Sequence, residues 1–487
     1  MLKILFVSSE VHPFSKTGGL ADVSASLPHA LAELGHDVRI LTPGYADALE
    51  RVPEAAPEPN WTSPVDGPAT RLLRTALPDS AVPVWLLEAR GFSDRPGNPY
   101  LGADGHGHPD NAERFDLLAR TAAAVAGDLG GLGWRPDVIH CNDWQTGLVP
   151  VRMLQHRIPG ATVFTVHNLA YQGLFPSPTF HTLGLPVWLW DMDALEFHGQ
   201  LSFMKGGAAF ADRLTTVSPT YAEEIRTHAH GWGLEGLFNQ RAGDLVGILN
   251  GIDRRYWDPA RDPYLDVHFR ADDLRGKATT KHRLQAELGL PQAADTPLAV
   301  VISRLADQKG IDLLLNGLPD LLRQGLQLAV LGSGERTYER SLTAMARRHP
   351  EQVAVRLGFD EALAHRLEAG ADLFLMPSRF EPCGLNQLYS LAYGTVPVVR
   401  AVGGLADSVV HATPEAVKAG TATGVSFTGD TPAALVAAVR RALELYTRAR
   451  DWRRIQRAGM AQDFSWQRSA DRYVEVYRDA LADQGRL

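Results

Sequence analysis

The order of apolar and polar positions along the chain sets out its architecture. Lys3-Ile-Leu-Phe-Val7 is a short apolar run of the kind that forms a buried strand, and a loop rich in glycine and polar residues follows it. Leu20, Val23, Leu27, Leu31 and Leu34 then recur at spacings of three and four, which predicts an amphipathic helix. Gly35 stands where such a helix stops, and Val38-Arg-Ile-Leu41 is the next strand. Strand, helix and strand with short returns make a βαβ unit, so the strands are expected to be parallel. The plan recurs in the second half: Leu298-Ala-Val-Val-Ile302 is a strand, 304–310 a basic loop, 311–322 a helix and 326–331 the returning strand. Pro319 is expected to break that helix near its far end.

Further strands are predicted at 137–140, 161–166, 213–217, 245–249, 353–357, 372–376 and 396–399, most of them separated by helical segments. The repeated plan predicts an α/β protein of two doubly wound domains facing each other across a cleft. The stretches 52–68 and 93–110, rich in proline or in glycine, proline and histidine, read as loops. The first domain is expected to span 1–244 and the second 245–464. A last helix is expected over 465–487, with Ser465 as its N-cap and Trp466, Ala470, Tyr473 and Tyr477 on one face.

Composition narrows the function classes. Hydrophobic residues make up 45% and charged residues 21% of 487, which excludes general disorder. No apolar run has the length of a membrane span, and the apolar start is too short for a signal peptide, so a cytoplasmic protein is expected. A net charge of −8 disfavours nucleic acid or an anionic membrane as partner. Cys141 and Cys383 are far apart with no CxxC, so neither a zinc knuckle nor a disulfide scaffold is built in.

Polar residues gather just after the predicted strands: Glu10 and Lys16, Asn142 and Asp143, His167 and Asn168, Asn250, Arg304 and Lys309, and residues 378–384. In open α/β sheets ligands bind at that edge. In Ser15-Lys-Thr-Gly-Gly-Leu20, Gly18 and Gly19 open a helix whose N-terminus favours an anion, with Lys16 beside it; a tight turn with a solvated lysine is the plainer reading. The loop is neither GxGxxG nor a Walker motif. Gly332 with Gly334 makes a second glycine turn. Arg304 and Lys309 put two cations on one loop, as a departing diphosphate requires. Glu381, in a rigid turn between Phe380 and Pro382, could bond sugar hydroxyls or balance positive charge. Cys383 reads as a packed small residue. Asp191-Met-Asp193 and His106-Gly-His108 are metal-like spacings without a third ligand nearby.

Seven segments, in order, carry a resemblance. They are Glu10-Val-His-Pro-Phe-Ser-Lys-Thr-Gly-Gly-Leu-Ala-Asp-Val23, His140-Cys-Asn-Asp-Trp144, Thr165-Val-His-Asn-Leu-Ala-Tyr-Gln-Gly173, Leu249-Asn-Gly-Ile-Asp253, Ser303-Arg-Leu-Ala-Asp-Gln-Lys-Gly310, Ser378-Arg-Phe-Glu-Pro-Cys-Gly-Leu385 and Gly403-Gly-Leu-Ala-Asp407. The chain resembles bacterial glycogen synthases and plant starch synthases, retaining glycosyltransferases with two Rossmann-like domains in the GT-B fold. The resemblance implies transfer of glucose from ADP-glucose to the non-reducing end of an α-1,4-glucan, glycogen or a maltooligosaccharide, without a metal or other cofactor.

By that resemblance Lys16, Gly18 and Gly19 contact the donor diphosphate or its sugar. Arg304 and Lys309 stabilise the ADP leaving group, and Glu381 with the backbone of Cys383, Gly384 and Leu385 holds glucose and phosphate. His167 meets the sugar near its reacting carbon, Asn250 assists, Gly332 lies on the donor side, and Phe359 lies against adenine. Glu10 and Asp143 fall on the acceptor side. The last helix is similar to one that crosses back onto the first domain in this fold. Three positions depart from related patterns: Tyr389 stands where many GT-B transferases carry a second Glu, Phe359 where bacterial members often have Tyr, and Val402 where they commonly have Thr. Another GT-B transferase or an epimerase, and a glucan-binding protein with a dead site, are the competing readings. The presence of Lys16, His167, Arg304, Lys309 and Glu381 together argues against the last.

Overall fold

The computed structural model describes residues 1–65, 70–78, 80–102 and 104–486. The chain divides into two units, Met1–Gly251 with Trp466–Leu487, and Ile252–Ser465. Each is a mainly parallel sheet flanked by helices.

Among the described residues, a small antiparallel sheet of Leu174–Pro176, Gln200–Ser202 and Glu196–Phe197 accompanies the first unit's main sheet of nine strands. From one edge to the other they are Leu245–Gly247, Arg213–Thr216, Ala161–Val166, Val138–Asn142, Lys3–Val7, Asp37–Pro43, Pro83–Glu88, Arg71–Ala76 and Ala56–Pro57. The first seven run parallel; Arg71–Ala76 pairs antiparallel to Pro83–Glu88, and Ala56–Pro57 antiparallel to Arg71–Ala76. The sequence pattern does not predict these last three strands. Arg71–Ala76 is buried only at Leu72 and Leu73, so it lacks the alternation that marks a half-buried strand. The short strand Ala56–Pro57 lies within the expected 52–68 loop, of which 66–68 fall outside the described residues, as does residue 103 of the 93–110 loop.

The first unit extends past the boundary expected at 244/245. Leu245–Gly247 pairs in parallel with Arg213–Thr216, so the chain completes the first sheet before leaving it at Gly251. The final helix, Trp466–Asp483, packs within the first unit: Ser469 Oγ donates to the Leu249 carbonyl at 2.7 Å, and Tyr473 and Tyr477 are fully buried.

In the second unit the strand order is Val353–Leu357, Gln327–Gly332, Leu298–Ile302, Leu373–Met376, Val396–Arg400 and Val425–Phe427, all parallel. Alternate residues feed two cores. Ala299, Val301, Leu328, Val330, Leu373 and Leu375 pack on one face, and Leu298, Val300, Ala329, Leu331, Phe374 and Met376 on the other. A strand whose successive side chains both meet helices reads as an unbroken apolar run, which is why these strands stand out in the sequence. The helix Ile311–Arg323 runs through Pro319 instead of breaking there. Pro319 is exposed, so the backbone carbonyl that loses its partner can be served by water.

Candidate active site

Each main sheet has one place where neighbouring strands continue in opposite directions. In the first unit Lys3–Val7 lies between Asp37–Pro43 and Val138–Asn142; in the second Leu298–Ile302 lies between Gln327–Gly332 and Leu373–Met376. Loops leaving the carboxyl ends of such strands diverge and open a crevice, the usual ligand site of this architecture. The polar residues singled out from the sequence fall at these two edges.

In the second unit the loop after Leu298–Ile302 meets the loop after Leu373–Met376. Lys309 Nζ lies 2.5 Å from Glu381 Oε2, and Ser378 Oγ donates to the same oxygen at 3.0 Å. Both side chains are largely buried, at 16% and 8% exposure. Of the two roles open to Glu381, the geometry realises the balancing of charge. Arg304 is exposed on the same loop and donates to Gln308 Oε1 at 3.1 Å. Gly310 makes the contact of the two loops possible: its φ is +66°, and a Cβ there would lie 2.2 Å from the Pro377 carbonyl oxygen. Gly403, with φ +43°, approaches Glu381 as closely, and the Gly404 N–H donates to the Glu381 carbonyl at 3.1 Å. Cys383 is buried, its carbonyl accepting from Gln387 Nε2; Gly384 and Leu385 lead into the helix Asn386–Ala392. Gly332 ends its strand against the Ser303 carbonyl, and Phe359 is 80% exposed beyond the strand Val353–Leu357.

In the first unit Glu10 is buried, and its carboxylate accepts from the Thr17 N–H, from Thr17 Oγ1 at 2.6 Å and from Tyr100 Oη at 2.5 Å. It therefore fixes the loop that carries Lys16 and Gly18. Lys16 is partly exposed and paired with Asp22 at 2.8 Å; Gly18 caps the helix Gly19–Glu33 with open space around its Cα.

Asn142, Asp143 and His167 meet at the ends of two adjacent strands. Asn142 Nδ2 donates to the carbonyls of Val7 and His140, which makes its other amide atom the oxygen. His167 Nε2, 3.0 Å from that oxygen, must be its N–H, and Nδ1 carries the lone pair. Burial lowers the His167 pKa to about 3, so the ring is neutral at physiological pH. Asp143 has φ +61° and is pushed up to about 8 by burial, against the pull of backbone N–H groups of His167, Asn168 and Trp144. Its Oδ1 is buried without a hydrogen-bond partner, as is Oδ1 of Asn250.

The two metal-like spacings have local roles. Asp191 Oδ1 accepts from the Asp193 N–H in a turn, and His108 Nε2 lies 3.3 Å from the Asn98 carbonyl.

The model of the starch synthase catalytic domain matches residues 3–240, and that of group 1 glycosyl transferases matches 289–458. Glycogen synthase 1 of Methylococcus capsulatus is 56% identical over 99% of this chain and 97% of its own length. The glycogen synthase of Thioalkalivibrio sulfidiphilus is 53% identical over 99% and 100%. The chain belongs to the glycogen synthase and starch synthase family. Among solved structures, the catalytic domain of starch synthase IV from Arabidopsis thaliana, bound to ADP and acarbose, is similar with a TM-score of 0.86 and 31% identity, covering 99% of each chain. Sucrose-phosphate synthase from Thermosynechococcus elongatus, at 20% identity and a TM-score of 0.60, shares the fold.

For a glycosyltransferase of this family, sequence reasoning leaves one group without a role that the geometry supplies. Arg379 donates to both oxygens of Asp312, at 2.7 and 2.8 Å, and to the Asp307 carbonyl at 2.8 Å, while its own N–H donates to the Gln308 carbonyl. These carboxylates hold its guanidinium firmly charged. Arg379 thus ties the Glu381 loop to the loop of Arg304 and Lys309 across some seventy positions of sequence, where no local pattern could reveal it.

Removing Lys309 leaves Glu381 ionised and buried without its cation. Lys309→Ala should therefore cost about 3 kcal/mol of second-unit stability, whereas Arg304→Ala, at an exposed position, should cost less than about 0.5 kcal/mol. Urea denaturation of the two variants checks this; equal losses would contradict it.

His140 and His167 both have pKa values lowered to about 3 by burial, from 6.5. Unfolding must then take up protons between pH 6.5 and 3, so the stability these rings contribute is complete above pH 6.5 and is lost as pH falls through that window. The slope is about 1.4 kcal/mol per pH unit for each ring. Asp143 and Glu368, both raised to about 8 by burial, slope the opposite way over the same range, so the check is a difference: across pH 4–6, His167→Gln should remove one proton from the uptake on unfolding relative to the parent protein.

Proposed function

We propose that this glycosyltransferase moves glucose from ADP-glucose to the non-reducing end of an α-1,4-glucan, with retention of configuration. The observation that carries the reading is the second-unit crevice, where Arg304 and Lys309 stand at a switch point beside the buried carboxylate of Glu381. The starch synthase structure with ADP and acarbose supports the choice of nucleotide and of a glucan acceptor.

As the glycosidic bond to the diphosphate breaks, negative charge grows on the phosphate oxygens. Arg304 and Lys309 supply fixed positive charge for it, and Lys16 serves the same diphosphate or its sugar. Glu381 holds Lys309 in place, and the backbone of residues 383–385 receives the glucose and phosphate. His167, with a lone pair at Nδ1, accepts a hydrogen bond from a sugar hydroxyl near the reacting carbon; Asn250 assists. Asp143 offers its unsatisfied Oδ1 on the acceptor side, where Glu10 shapes the loop. Phe359 receives the adenine. Glu381, engaged by Lys309 and Ser378, is a poor carboxylate nucleophile, which favours attack on the same face as the departing phosphate.

Three outcomes follow. Arg304→Ala and Lys309→Ala should each lower kcat by about a hundredfold or more, the scale for one preorganised charge-stabilising group; wild-type turnover at saturating substrate would remove the assignment. Activity should survive exhaustive chelation and the double change Asp191→Ala, Asp193→Ala. Loss on chelation with recovery in Mg²⁺ or Mn²⁺ would replace the cation model with a metal. Labelled glucose should enter glycogen from ADP-glucose with a higher kcat/KM than from UDP-glucose, because a purine offers Phe359 more stacking area. That contact is worth about 0.5–1.5 kcal/mol, so Phe359→Ala should narrow the preference up to roughly tenfold, mainly through KM. Incorporation from neither donor would count against the synthase reading itself.

A further inference from the structure

The floor beneath His167 is polar where an apolar core would be more stable. His140 is fully buried, with its Nδ1 2.8 Å from Tyr477 Oη of the C-terminal helix and its Nε2 2.6 Å from Thr165 Oγ1. Thr165 Oγ1 in turn lies 2.5 Å from Thr215 Oγ1. In one consistent assignment the Tyr477 hydroxyl donates to Nδ1, Nε2–H donates to Thr165, and Thr165 donates to Thr215. Phe6 packs edge-on against the fully buried His140 ring at 4.8 Å.

The register of the two strands links this floor to the site. Val138–Asn142 and Ala161–Val166 run parallel with Asn142 opposite Thr165, so His140, Asn142 and Thr165 share a face, and His167 is the next residue of that phase. Two diagonal hydrogen bonds therefore stack one dipeptide apart between the same two chains: His140 to Thr165, and His167 to Asn142. Thr165 also accepts the Asp143 N–H at its carbonyl, at 2.9 Å, which helps hold Asp143 at its positive φ. Phenylalanine and an aliphatic residue could fill the same volume without polar atoms. A fully connected buried network is expensive to assemble, and what it adds is a single fixed geometry.

We propose that Tyr477 is a positioning residue for His167 and Asp143, acting through His140 and Thr165, so that the C-terminal helix is part of the site's support. The proposal rests on the reading of His167 as a group that meets the donor sugar. Tyr477 touches no substrate in it; the hydroxyl fixes the tautomer and tilt of His140, and His140 fixes the strand end from which Asp143 and His167 project.

The test compares three variants of the full chain. Tyr477→Phe should lower kcat with ADP-glucose and glycogen by about tenfold, the scale for removing a supporting hydrogen bond behind a functional group, with KM for the donor within about twofold. It should also move the ¹⁵N resonances of His167 in protein labelled at histidine. Val474→Ala, buried on the same helix but outside the network, should lower the melting temperature and leave kcat and the His167 resonances unchanged. Thr165→Val, which breaks the chain from its other side, should act as Tyr477→Phe does, and decides the matter if Tyr477→Phe does not fold. Wild-type kcat and unmoved His167 resonances in Tyr477→Phe, or equal loss of kcat in Val474→Ala, would overturn the proposal. If the parent protein transferred no glucose, the functional reading would fall, while the resonances would still decide whether Tyr477 sets His167.

Discussion

The contact between Lys309 and Glu381 is the constraint around which the second unit's site is arranged. Two charges taken out of water repay their desolvation only if they meet at close range and their remaining sites are bonded. That forces two loops, separated by seventy-two positions, to lie within 2.5 Å of each other at one point. The backbone must be narrow where they touch, hence Gly310 against Pro377 and Gly403 against Glu381. The loops must also be fastened on either side of the pair. Arg379 does this with Asp312 and Asp307, and Asn386 by donating to the Ile302 carbonyl at 2.6 Å. The ion pair, the glycines and the arginine are one solution to one electrostatic demand.

The first unit meets a related demand with neutral groups. Asp143 is buried and His167 partly so, and desolvation drives each toward its uncharged form, the carboxyl upward and the imidazole downward. Neutral groups in a dry site act through hydrogen-bond direction, so their orientation must be fixed. The backbone donors around Asp143, the Asn142 amide and the His140 network provide that fixing. The arrangement suits a sugar, whose hydroxyls are read by direction, as the cations of the second unit suit a diphosphate.

Much of this was legible in the chain. Parallel strands covered on both faces are unbroken apolar runs, so Leu298–Ile302 and Ala161–Val166 are visible without any structure, and the residues after them are site candidates by position alone. Arg71–Ala76 is not, because it faces water at three of six positions, and Ala56–Pro57 at the sheet edge is too short to carry a pattern. The boundary was misplaced because a three-residue strand, Leu245–Gly247, belongs by hydrogen bonding to the sheet before it and by spacing to the segment after it. The partners of Arg379 and His140, and Tyr100 on Glu10, are tertiary, and no local window of sequence contains both members of those pairs. What a sequence shows is which groups stand at a strand end; which of them compensate one another is decided by distance.

Composition adds one argument that neither motif nor fold supplies. Seven of the 48 cationic side chains are lysines, so arginine is this chain's ordinary surface cation. Three of the seven are buried. Lys205 is buried and donates to the Met192 and Glu196 carbonyls; Lys277 reaches Thr395 Oγ1 at 2.6 Å and the Ala369 carbonyl at 3.0 Å; Lys281 pairs with Asp372 at 2.7 Å. Each compact ammonium converges on acceptors supplied by different segments. Two more, Lys16 and Lys309, stand one at each main sheet's switch point. Lys309 follows the buried pattern, its ammonium held by the Glu381 carboxylate. Lys16 is partly exposed and paired only with Asp22 at its helix start, so no packing requirement explains why it is not arginine. A point charge that must approach a diphosphate beside a glycine-opened helix does explain it, and the same reason serves Lys309. In a chain written almost wholly in arginine, five of the seven lysines are thus accounted for by burial or by a place at a switch point, Lys3 and the exposed Lys418 being the other two.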